Sequence, residues 1–444
     1  MKPTMPTPAL RLCGSLLAFG AAALLGLFLL FCLFQVAEMV YASKLVTADI
    51  HRSFCPQGEM MVACSPVMAR GAFPKKKSRD AFRVFVVGSS QAMGSPYVFQ
   101  SLNLLGFFFP NEGGISTWLQ DYLSAVYPDR RVQVVNAARA LGSMMNEHLE
   151  TFRDIIREGS PDLIVVLAGN NEGPRRDGRR QAPSIEALDG DVAASARRYK
   201  TYLEEMVRRS REAGVTLYVL TVPNNLRDWE PTAPSDSGLE EARSLLARGL
   251  GRTALASLDA RTDTANALRL FYRAKCLDAA GRYDEALRAY IQARDNDLSF
   301  FRARSVFNGI VRRAAGKNVR VVDMETILRG YAKDGIPGSD LFHDNCHLKL
   351  LANRIAAREI ALFHIHDKGL PPQAEERLWA EDSRPLRISR ASLEVLYLLK
   401  AAKWAEYMLL PRSMREWDAN ARMMIGNYLQ AAKEIRRGRY GQFR

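Results

Sequence analysis

Hydrophobic residues follow two alternating patterns between Phe82 and Val322. Short runs of β-branched, aromatic and aliphatic residues predict buried strands, and the longer stretches between them, with apolar residues at helical spacing, predict amphipathic helices. Strands that alternate with helices in this way indicate a parallel sheet of about five strands covered on both faces, an α/β/α arrangement. The predicted strands are Phe82–Val87, Val132–Val135, Leu163–Leu167, Leu217–Val222 and Val319–Val322, and the clearest helical stretches are 146–158 and 192–213.

The gap between the fourth and fifth predicted strands is too long for a single crossover helix. It predicts a helical insertion, which we place at 236–315. Within it, residues 270–298 have the spacing of one tetratricopeptide repeat, with small residues where two antiparallel helices would pack closely and with Tyr283 and Tyr290 in the seam. A single helical hairpin needs neighbours to bury its apolar face, and helices at 238–257 and in the C-terminal tail are the candidates.

Two further segments flank the α/β region, which we divide into 81–235 and 316–366. Residues 38–80 contain several prolines and three consecutive lysines, and they predict an irregular linker. Residues 367–444 predict a helical extension. It has an apolar stripe that is more typical of a core than of an interface, formed by Leu393, Val395, Leu396, Leu398 and Leu399.

The N-terminus contains an uncharged stretch, residues 12–37, that is mostly Leu, Ala, Phe and Gly. A helix of about 20 apolar residues spans a bilayer. A signal peptide cleaved after Ala42 is the alternative, but the apolar part of a signal peptide has only about 7–15 residues. We therefore expect an uncleaved, single-pass anchor in the cell (inner) membrane. Lys2 and Arg11 precede it, so the positive-inside rule predicts a cytoplasmic tail at 1–11 and a periplasmic, or otherwise extracytoplasmic, remainder.

The charge balance adds to this interpretation. The chain has 444 residues, and 62 Lys and Arg against 48 Asp and Glu give a net charge of +14. The mean hydropathy of −0.16 excludes a polytopic membrane protein. A basic excess suits nucleic acid, anionic lipid or an acidic polymer. The outward topology and the absence of aromatics interleaved in the Arg-rich stretches argue against nucleic acid. We expect anionic glycans or lipid head groups as partners.

The cysteines fit an extracytoplasmic location. Cys55 and Cys64 flank a short loop and would pair in an oxidising compartment; two free thiols are the alternative. No metal-ligand spacing such as Cys-x-x-Cys occurs along the chain.

Polar residues with catalytic potential follow three of the predicted strands. Ligands bind beyond the carboxyl ends of an open parallel sheet, so these positions would share one edge. A serine at a sharp strand exit, as in Gly88–Gly94, can present its Oγ and its backbone N–H there. Gly169–Glu172 supplies an amide. The spacing Asp344-x-x-His347 lets a carboxylate orient an imidazole toward that serine, the order that acyl transfer needs.

Together these blocks resemble the SGNH (GDSL) hydrolase family over roughly residues 82–225 and 317–365. The family's Gly-Asp-Ser-x-x-x-Gly matches Gly88–Gly94, its Gly-x-Asn-Asp matches Gly169–Glu172, and its Asp-x-x-His matches 344–347. The ensemble looks like the membrane-anchored subset with tetratricopeptide-type insertions. The resemblance implies a flavodoxin-like sheet and no metal or organic cofactor. It implies the nucleophile Ser90, the base His347, its orienter Asp344 and the oxyanion amide Asn171.

The chain departs from the family pattern at two places. Ser89 replaces the family Asp beside the nucleophile. The family's second block carries an oxyanion Gly, but Leu141 is in register here and Gly142 lies one position later. We assign the backbone N–H of Gly142, with Leu141 as the alternative. The oxyanion donors would then be the N–H groups of Ser90 and Gly142 and the Asn171 amide.

Each of three nearby features has two interpretations. His343 is a second candidate base, which the Asp-x-x-His spacing disfavours. Glu172 is either a hydrogen-bonding member of its block or an exposed loop acid. Four arginines beside that block would bind a carboxylate, sulfate or phosphate on the substrate through bidentate contacts, or would form a solvated loop. They are Arg175, Arg176, Arg179 and Arg180.

The sequence therefore favours a membrane-anchored serine esterase that removes acyl or acetyl groups from a cell-envelope glycan or lipid. An O-acyltransferase with the same triad is the near alternative. The third interpretation is a catalytically idle scaffold that binds an envelope protein through its helical repeats. The acyl group, the acceptor and the oligomeric state have no signature in the sequence.

Overall fold

A computed structural model describes residues 52–99, 112–140, 144–174, 181–234, 239–259, 266–385, 388–410 and 418–438. The predicted anchor at 12–37 and the tail before it lie outside these residues. Within the described ranges, no helix is both long enough and apolar enough to cross a membrane.

Eight strands form two sheets in the described part of the chain. Phe54–Gln57 (β1), Met60–Ala63 (β2) and Ala72–Pro74 (β3) form an antiparallel three-stranded sheet. Ala81–Gly88 (β4), Arg131–Asn136 (β5), Leu163–Leu167 (β6), Thr216–Leu220 (β7) and Val319–Val322 (β8) form the central five-stranded sheet, and all its pairings are parallel. The predicted parallel sheet is thus confirmed.

Helices alternate with these strands and extend beyond them. In chain order they are α1 (Ser90–Met93), α2 (Ile115–Val126), α3 (Met145–Asp154), α4 (Ile185–Glu212), α5 (Leu239–Ala247), α6 (Gly251–Asp259), α7 (Ala267–Ala279), α8 (Tyr283–Asp295), α9 (Ser305–Arg312), α10 (Met324–Arg329), α11 (Leu350–Asp367), α12 (Pro372–Asp382), α13 (Arg390–Tyr407) and α14 (Asp418–Arg436). A π-helical turn, Ile155–Gly159, continues α3. Helix α4 begins earlier than its apolar spacing predicts because the hydroxyl of Ser184 accepts a hydrogen bond from the N–H of Ala187 and caps it.

The central sheet reverses its winding direction beside β4. Its order is β5-β4-β6-β7-β8, so that its strands, counted along the chain, run 2-1-3-4-5. This is a doubly wound order, in which the crevice between the first and third strands is the usual place for a ligand. The loops after β4 and β6 both open into that crevice.

Helices cover both faces of the central sheet. Alternate side chains of β4 enter two different cores: Val84 and Val86 pack with α2 and α11, whereas Phe85 and Val87 pack with α3, α4 and α9. The inner strands β4 and β6 are buried along their whole length, which is why they are mostly apolar, whereas the edge strands β5 and β8 are partly exposed and include Gln133 and Arg320.

The residues between β7 and β8 form a helical unit with a core of its own. Helices α7 and α8 make an antiparallel hairpin, in which the rings of Phe271 and Tyr290 meet edge to face at 5.6 Å. Helices α5 and α6 cover this hairpin, as their positions in the sequence predict. The C-terminal helices do not join this core, contrary to expectation; α13 and α14 pack into the core of the central sheet instead.

Residues 54–74, expected to be part of an irregular linker, form the antiparallel sheet. Phe54 and Phe73 from this sheet pack edge to face against each other and against Phe85 of β4. A disulfide joins Cys55 to Cys64, whose Cα atoms are 5.6 Å apart. The strands have only three or four residues each and include prolines, so they have no length over which an alternating pattern could be recognised.

The predicted apolar stripe on the C-terminal extension is divided between core and surface. Leu393 and Leu396 are buried against the sheet domain, whereas Val395, Leu398 and Leu399 are exposed. The expectation that the stripe belongs to the core therefore holds for only two of its five residues.

Gly88 and Gly190 give a matched test of this packing. A Cβ at Gly88 would lie 1.9 Å from the Leu167 carbonyl oxygen, and the residue has φ of +152°. Gly190, within α4, has nothing within 4 Å of a Cβ. We expect Gly88→Ala to lower the free energy of unfolding by about 3 kcal/mol or more, and Gly190→Ala to raise it by about 0.5–1 kcal/mol. Urea unfolding followed by circular dichroism measures both. Equal changes would contradict the close approach of β4 to β6.

Candidate active site

The nucleophile candidate Ser90 lies at the sharp exit from β4. Gly88 ends the strand, Ser89 is the N-cap of the short helix α1, and Ser90 is its first residue. The positive φ of Gly88 and its contact with Leu167 leave no room for a side chain, so the chain turns there as glycine alone allows. Ser90 is partly exposed, whereas Ser89 is buried.

The predicted base, His347, and its predicted orienter, Asp344, lie on a narrow loop that ends just before α11. Phe342 and Leu348 pair across the base of this loop, and the N–H of His343 donates to the His347 carbonyl at 2.9 Å. We call residues 342–348 the acid–base loop. It lacks a strand of its own and is held by contacts with its neighbours.

Three residues on two loops form a continuous hydrogen-bond chain. Ser90 Oγ lies 2.8 Å from His347 Nε2, and His347 Nδ1 lies 2.6 Å from Asp344 Oδ2. Asp344 Oδ1 accepts hydrogen bonds from the backbone N–H groups of Cys346 and His347, at 3.0 and 2.8 Å. The structure thus brings together the three predicted catalytic residues, although Ser90 and His347 are 257 positions apart in the sequence.

The environment of Asp344 keeps its carboxylate ionised. Burial works against its negative charge, but His347 and the two backbone N–H donors outweigh that cost and hold the pKa of Asp344 below its ordinary value. An ionised Asp344 fixes the tautomer of His347 with the proton on Nδ1. Nε2 is then free to accept the proton of Ser90, so the arrangement can activate a hydroxyl for attack on a carbonyl.

The loop after β6 lies against the turn that carries Ser89 and Ser90. Ser89 Oγ donates to Asn170 Oδ1 at 2.6 Å, and Asn170 Nδ2 donates to the Cys346 sulfur at 3.2 Å. Both halves of the Asn170 amide are therefore used, and its neighbour Asn171 is the residue for which the family resemblance predicts the oxyanion contact. Asn171 is 5% exposed. Asn170 and Cys346 carry no catalytic motif of their own, and only their positions beside motif residues signal their role.

Glu172 is not an exposed loop acid. It is 4% exposed, and its Oε1 accepts a hydrogen bond from the N–H of Met145 at 2.9 Å. This contact ties the loop after β6 to the start of α3, directly after the predicted second block. That block's Leu141 and Gly142, and the arginines of 175–180, lie outside the described residues.

Asn225 is a supporting residue that motif reasoning misses. It is fully buried after β7, and its Nδ2 donates to the Asp344 carbonyl at 3.0 Å. Its backbone N–H donates to the Asn345 carbonyl at 2.9 Å. Its Oδ1 accepts from the N–H of Asp228 at 2.9 Å. Its place just after a strand end is the one signal that would have pointed to it.

His343 is bound to a cluster of tyrosines rather than to the hydrogen-bond chain of Ser90, His347 and Asp344. Its Nε2 lies 2.7 Å from the Tyr97 hydroxyl, which lies 2.7 Å from the hydroxyl of Tyr397 on α13. Its ring stacks on Tyr428 of α14 at a centroid distance of 4.8 Å. Asn427 donates to the His343 carbonyl at 3.1 Å. The C-terminal extension is thus part of the structure that holds the acid–base loop.

Asp344, Cys346 and His347 also deserve consideration as metal ligands, because their donor atoms lie within 4.8 Å of one another. Metal binding needs a thiolate and a free imidazole nitrogen. Burial and the charge of Asp344 raise the pKa of the Cys346 thiol well above its ordinary value, which favours the protonated form. Both nitrogens of His347 are already hydrogen-bonded. The donor set therefore suits a proton-transfer triad better than a metal site.

The buried His343 predicts a pH-dependent stability. Burial and the positive charges of Lys349, His347 and Lys400 oppose its protonation more than Asp344 favours it, and they hold the pKa of His343 well below its ordinary value. As the pH falls, the unfolded chain therefore protonates His343 before the folded chain does. The stability that the neutral His343 contributes is lost as the pH falls below about 6.5. We expect His343→Asn to destabilise at pH 7.5. Its deficit relative to wild type should shrink by about 1.4 kcal/mol at pH 5.5. Urea unfolding at both pH values measures this difference, and an unchanged deficit would contradict a neutral, buried His343.

Comparisons with known proteins do not assign this chain to a family. No protein-family model matches the chain, and no curated protein matches it. Among solved structures, the chain is similar to the crystal structure of an alpha/beta hydrolase enzyme from the metagenome of Lake Arreo, Spain. The sequence identity is 15% and the TM-score 0.35, over 65% of this chain and 95% of that one. At that TM-score the similarity carries no argument about activity.

Proposed function

We propose that the chain is a serine esterase of the SGNH type, with Ser90 as its nucleophile. The observation that carries the proposal is the chain of hydrogen bonds from Asp344 through His347 to Ser90, at 2.6 and 2.8 Å. The residue types, their order and their place at the crevice of a doubly wound sheet are those that acyl transfer requires.

The reaction proceeds in two halves. Ser90 Oγ attacks the ester carbonyl while His347 Nε2 accepts its proton, and Asp344 stabilises the imidazolium that forms. The tetrahedral intermediate collapses as His347 gives that proton to the leaving alkoxide, which leaves an acyl group on Ser90. A water molecule, deprotonated by His347, then attacks the acyl-enzyme, and the returning proton regenerates Ser90.

Three hydrogen-bond donors stabilise the oxyanion in this proposal. They are the backbone N–H of Ser90, the N–H of Gly142 or Leu141, and the Asn171 side-chain amide. Such preorganised donors contribute about 3–4 kcal/mol each to the barrier reduction in comparable sites. The contact between Glu172 and Met145 supports this assignment, because it joins the loop that carries Asn171 to the segment that follows the second block.

The substrate we propose is an acylated glycan or lipid of the cell envelope. Residues 12–37 anchor the chain in the inner membrane with the esterase domain on the extracytoplasmic side. The Cys55–Cys64 disulfide supports this topology, because such bonds persist in oxidising compartments. Arg175, Arg176, Arg179 and Arg180 would bind an anionic group of the substrate, and the helical unit between β7 and β8 would bind a protein of the envelope.

The two alternative functions differ from this one in different ways. Transfer of the acyl group to an alcohol on an acceptor, in place of water, would use the same triad and the same first half-reaction. An idle scaffold would have no need for a serine held 2.8 Å from a histidine whose other nitrogen binds a carboxylate. The geometry therefore favours a working site.

Replacement of the triad tests the proposal. We expect Ser90→Ala and His347→Ala to abolish turnover of a chromogenic acetyl ester. They should also abolish covalent labelling by a fluorophosphonate, in which Ser90 Oγ bonds to phosphorus, fluoride leaves and His347 takes the hydroxyl proton. Asp344→Asn should lower kcat by about 10³–10⁴ because His347 loses its orienting acceptor. The controls are Ser210→Ala, which removes a buried serine remote from the site, and His366→Ala on the exposed end of α11. Wild-type activity in a folded Ser90 or His347 variant would overturn the triad assignment.

A further inference from the structure

Ser89 is a buried polar residue whose hydroxyl has an unusual partner. It is 1% exposed and occupies the N-cap position of α1, yet its side chain makes no capping hydrogen bond to that helix. An N-cap serine normally accepts from a backbone N–H of the first turn. Here the hydroxyl instead donates across the crevice to Asn170 Oδ1 at 2.6 Å.

Asn170 continues this contact to a third loop. Its side chain is 1% exposed, and its Nδ2 donates to the Cys346 sulfur at 3.2 Å. Cys346 is 2% exposed, and its backbone N–H donates to Asp344 Oδ1. A neutral serine, amide and thiol thus form a buried chain that brings no additional charge next to Asp344 and His347.

Each member of this chain directly precedes a residue of the proposed machinery. Ser89 precedes the nucleophile Ser90, Asn170 precedes the oxyanion amide Asn171, and Cys346 precedes the base His347. The three loops that carry them come from different parts of the sequence, with separations of 81 and 176 residues along the two hydrogen bonds.

We propose that Ser89, Asn170 and Cys346 form a positioning network that fixes the nucleophile, the oxyanion amide and the base relative to one another. This inference rests on the proposed esterase function. The three residues touch no reacting atom; they act through the backbone of the residue that follows each of them. The network also gives Ser89 a role at the position where the resembled family has Asp.

A positioning network has a specific kinetic signature. Loss of one hydrogen bond lets the reacting groups drift by a fraction of an ångström, which weakens interactions made in the transition state more than those made with bound substrate. We expect Ser89→Ala and Cys346→Ala each to lower kcat for a chromogenic acetyl ester about tenfold to hundredfold, with KM within about twofold of wild type. Cys346→Ser, which keeps an acceptor for Asn170, should recover most of the loss.

The double variant distinguishes a network from two separate effects. Both hydrogen bonds act through Asn170, so Ser89→Ala combined with Cys346→Ala should lower kcat no further than the worse single variant. Ser210→Ala and Cys276→Ala are matched controls. Ser210 is another buried serine with a hydrogen bond, and Cys276 is the other buried free cysteine of the described chain. These controls should lower the thermal midpoint comparably and leave kcat unchanged.

Each outcome of this experiment, done on the full chain, decides a different point. Wild-type kcat in folded Ser89→Ala and Cys346→Ala, or losses that multiply in the double variant, would overturn the network and leave the esterase proposal standing. Wild-type protein that neither turns over the ester nor reacts with a fluorophosphonate would overturn the esterase proposal, and this inference with it. If Ser89→Ala fails to fold, the comparison of Cys346→Ala with Cys346→Ser decides alone: equal loss in both overturns the network.

Discussion

The close pairing of β4 with β6 is the constraint on which the candidate site depends. Gly88 pairs with Leu167 at the carboxyl ends of the two strands, and their backbones approach so closely that a methyl group would not fit between them. The loops that follow β4 and β6 therefore begin at the same level of the sheet and face each other across the crevice. The apolar cores on both faces hold the register of these strands, so packing far from Ser90 determines where its hydroxyl lies.

The acid–base loop depends on a different kind of support, because no strand carries it. Hydrogen bonds from Asn225 reach it from one side, the Asn170 amide reaches it from another, and His343 binds the aromatic cluster of Tyr97, Tyr397 and Tyr428 behind it. Polar contacts of this kind are directional, and in a buried setting they define one arrangement of the loop. The helical extension and the loop after β7 are for this reason structural parts of the site, in addition to the residues of the hydrogen-bond chain itself.

The residues that sequence reasoning finds and those that it misses differ in the range of their interactions. The five strands of the central sheet are short, mostly apolar runs, which are a local signal, and the strand-end rule points to Ser90. Asp344 and His347 follow no strand directly, and it is their Asp-x-x-His spacing that marks them. Asn170, Asn225 and Cys346 act through partners 81 to 176 positions away, and no local pattern records such partners. The strands within 54–74 are too short to show an alternating pattern in the sequence. Which residues of the apolar stripe on α13 are buried depends on how α14 packs against that helix. The membrane anchor and the second oxyanion donor stay predictions.

Two of the rings in the cluster around His343 come from late in the sequence. The rings that complete it belong to α13 and α14, which the ribosome synthesises after Ser90, Asp344 and His347 have all been joined to the chain. A nascent chain can therefore contain Ser90, Asp344 and His347 while the acid–base loop still lacks its contacts with Tyr397 and Tyr428. The acid–base loop can therefore make its full set of contacts only after synthesis has passed Tyr428 of α14.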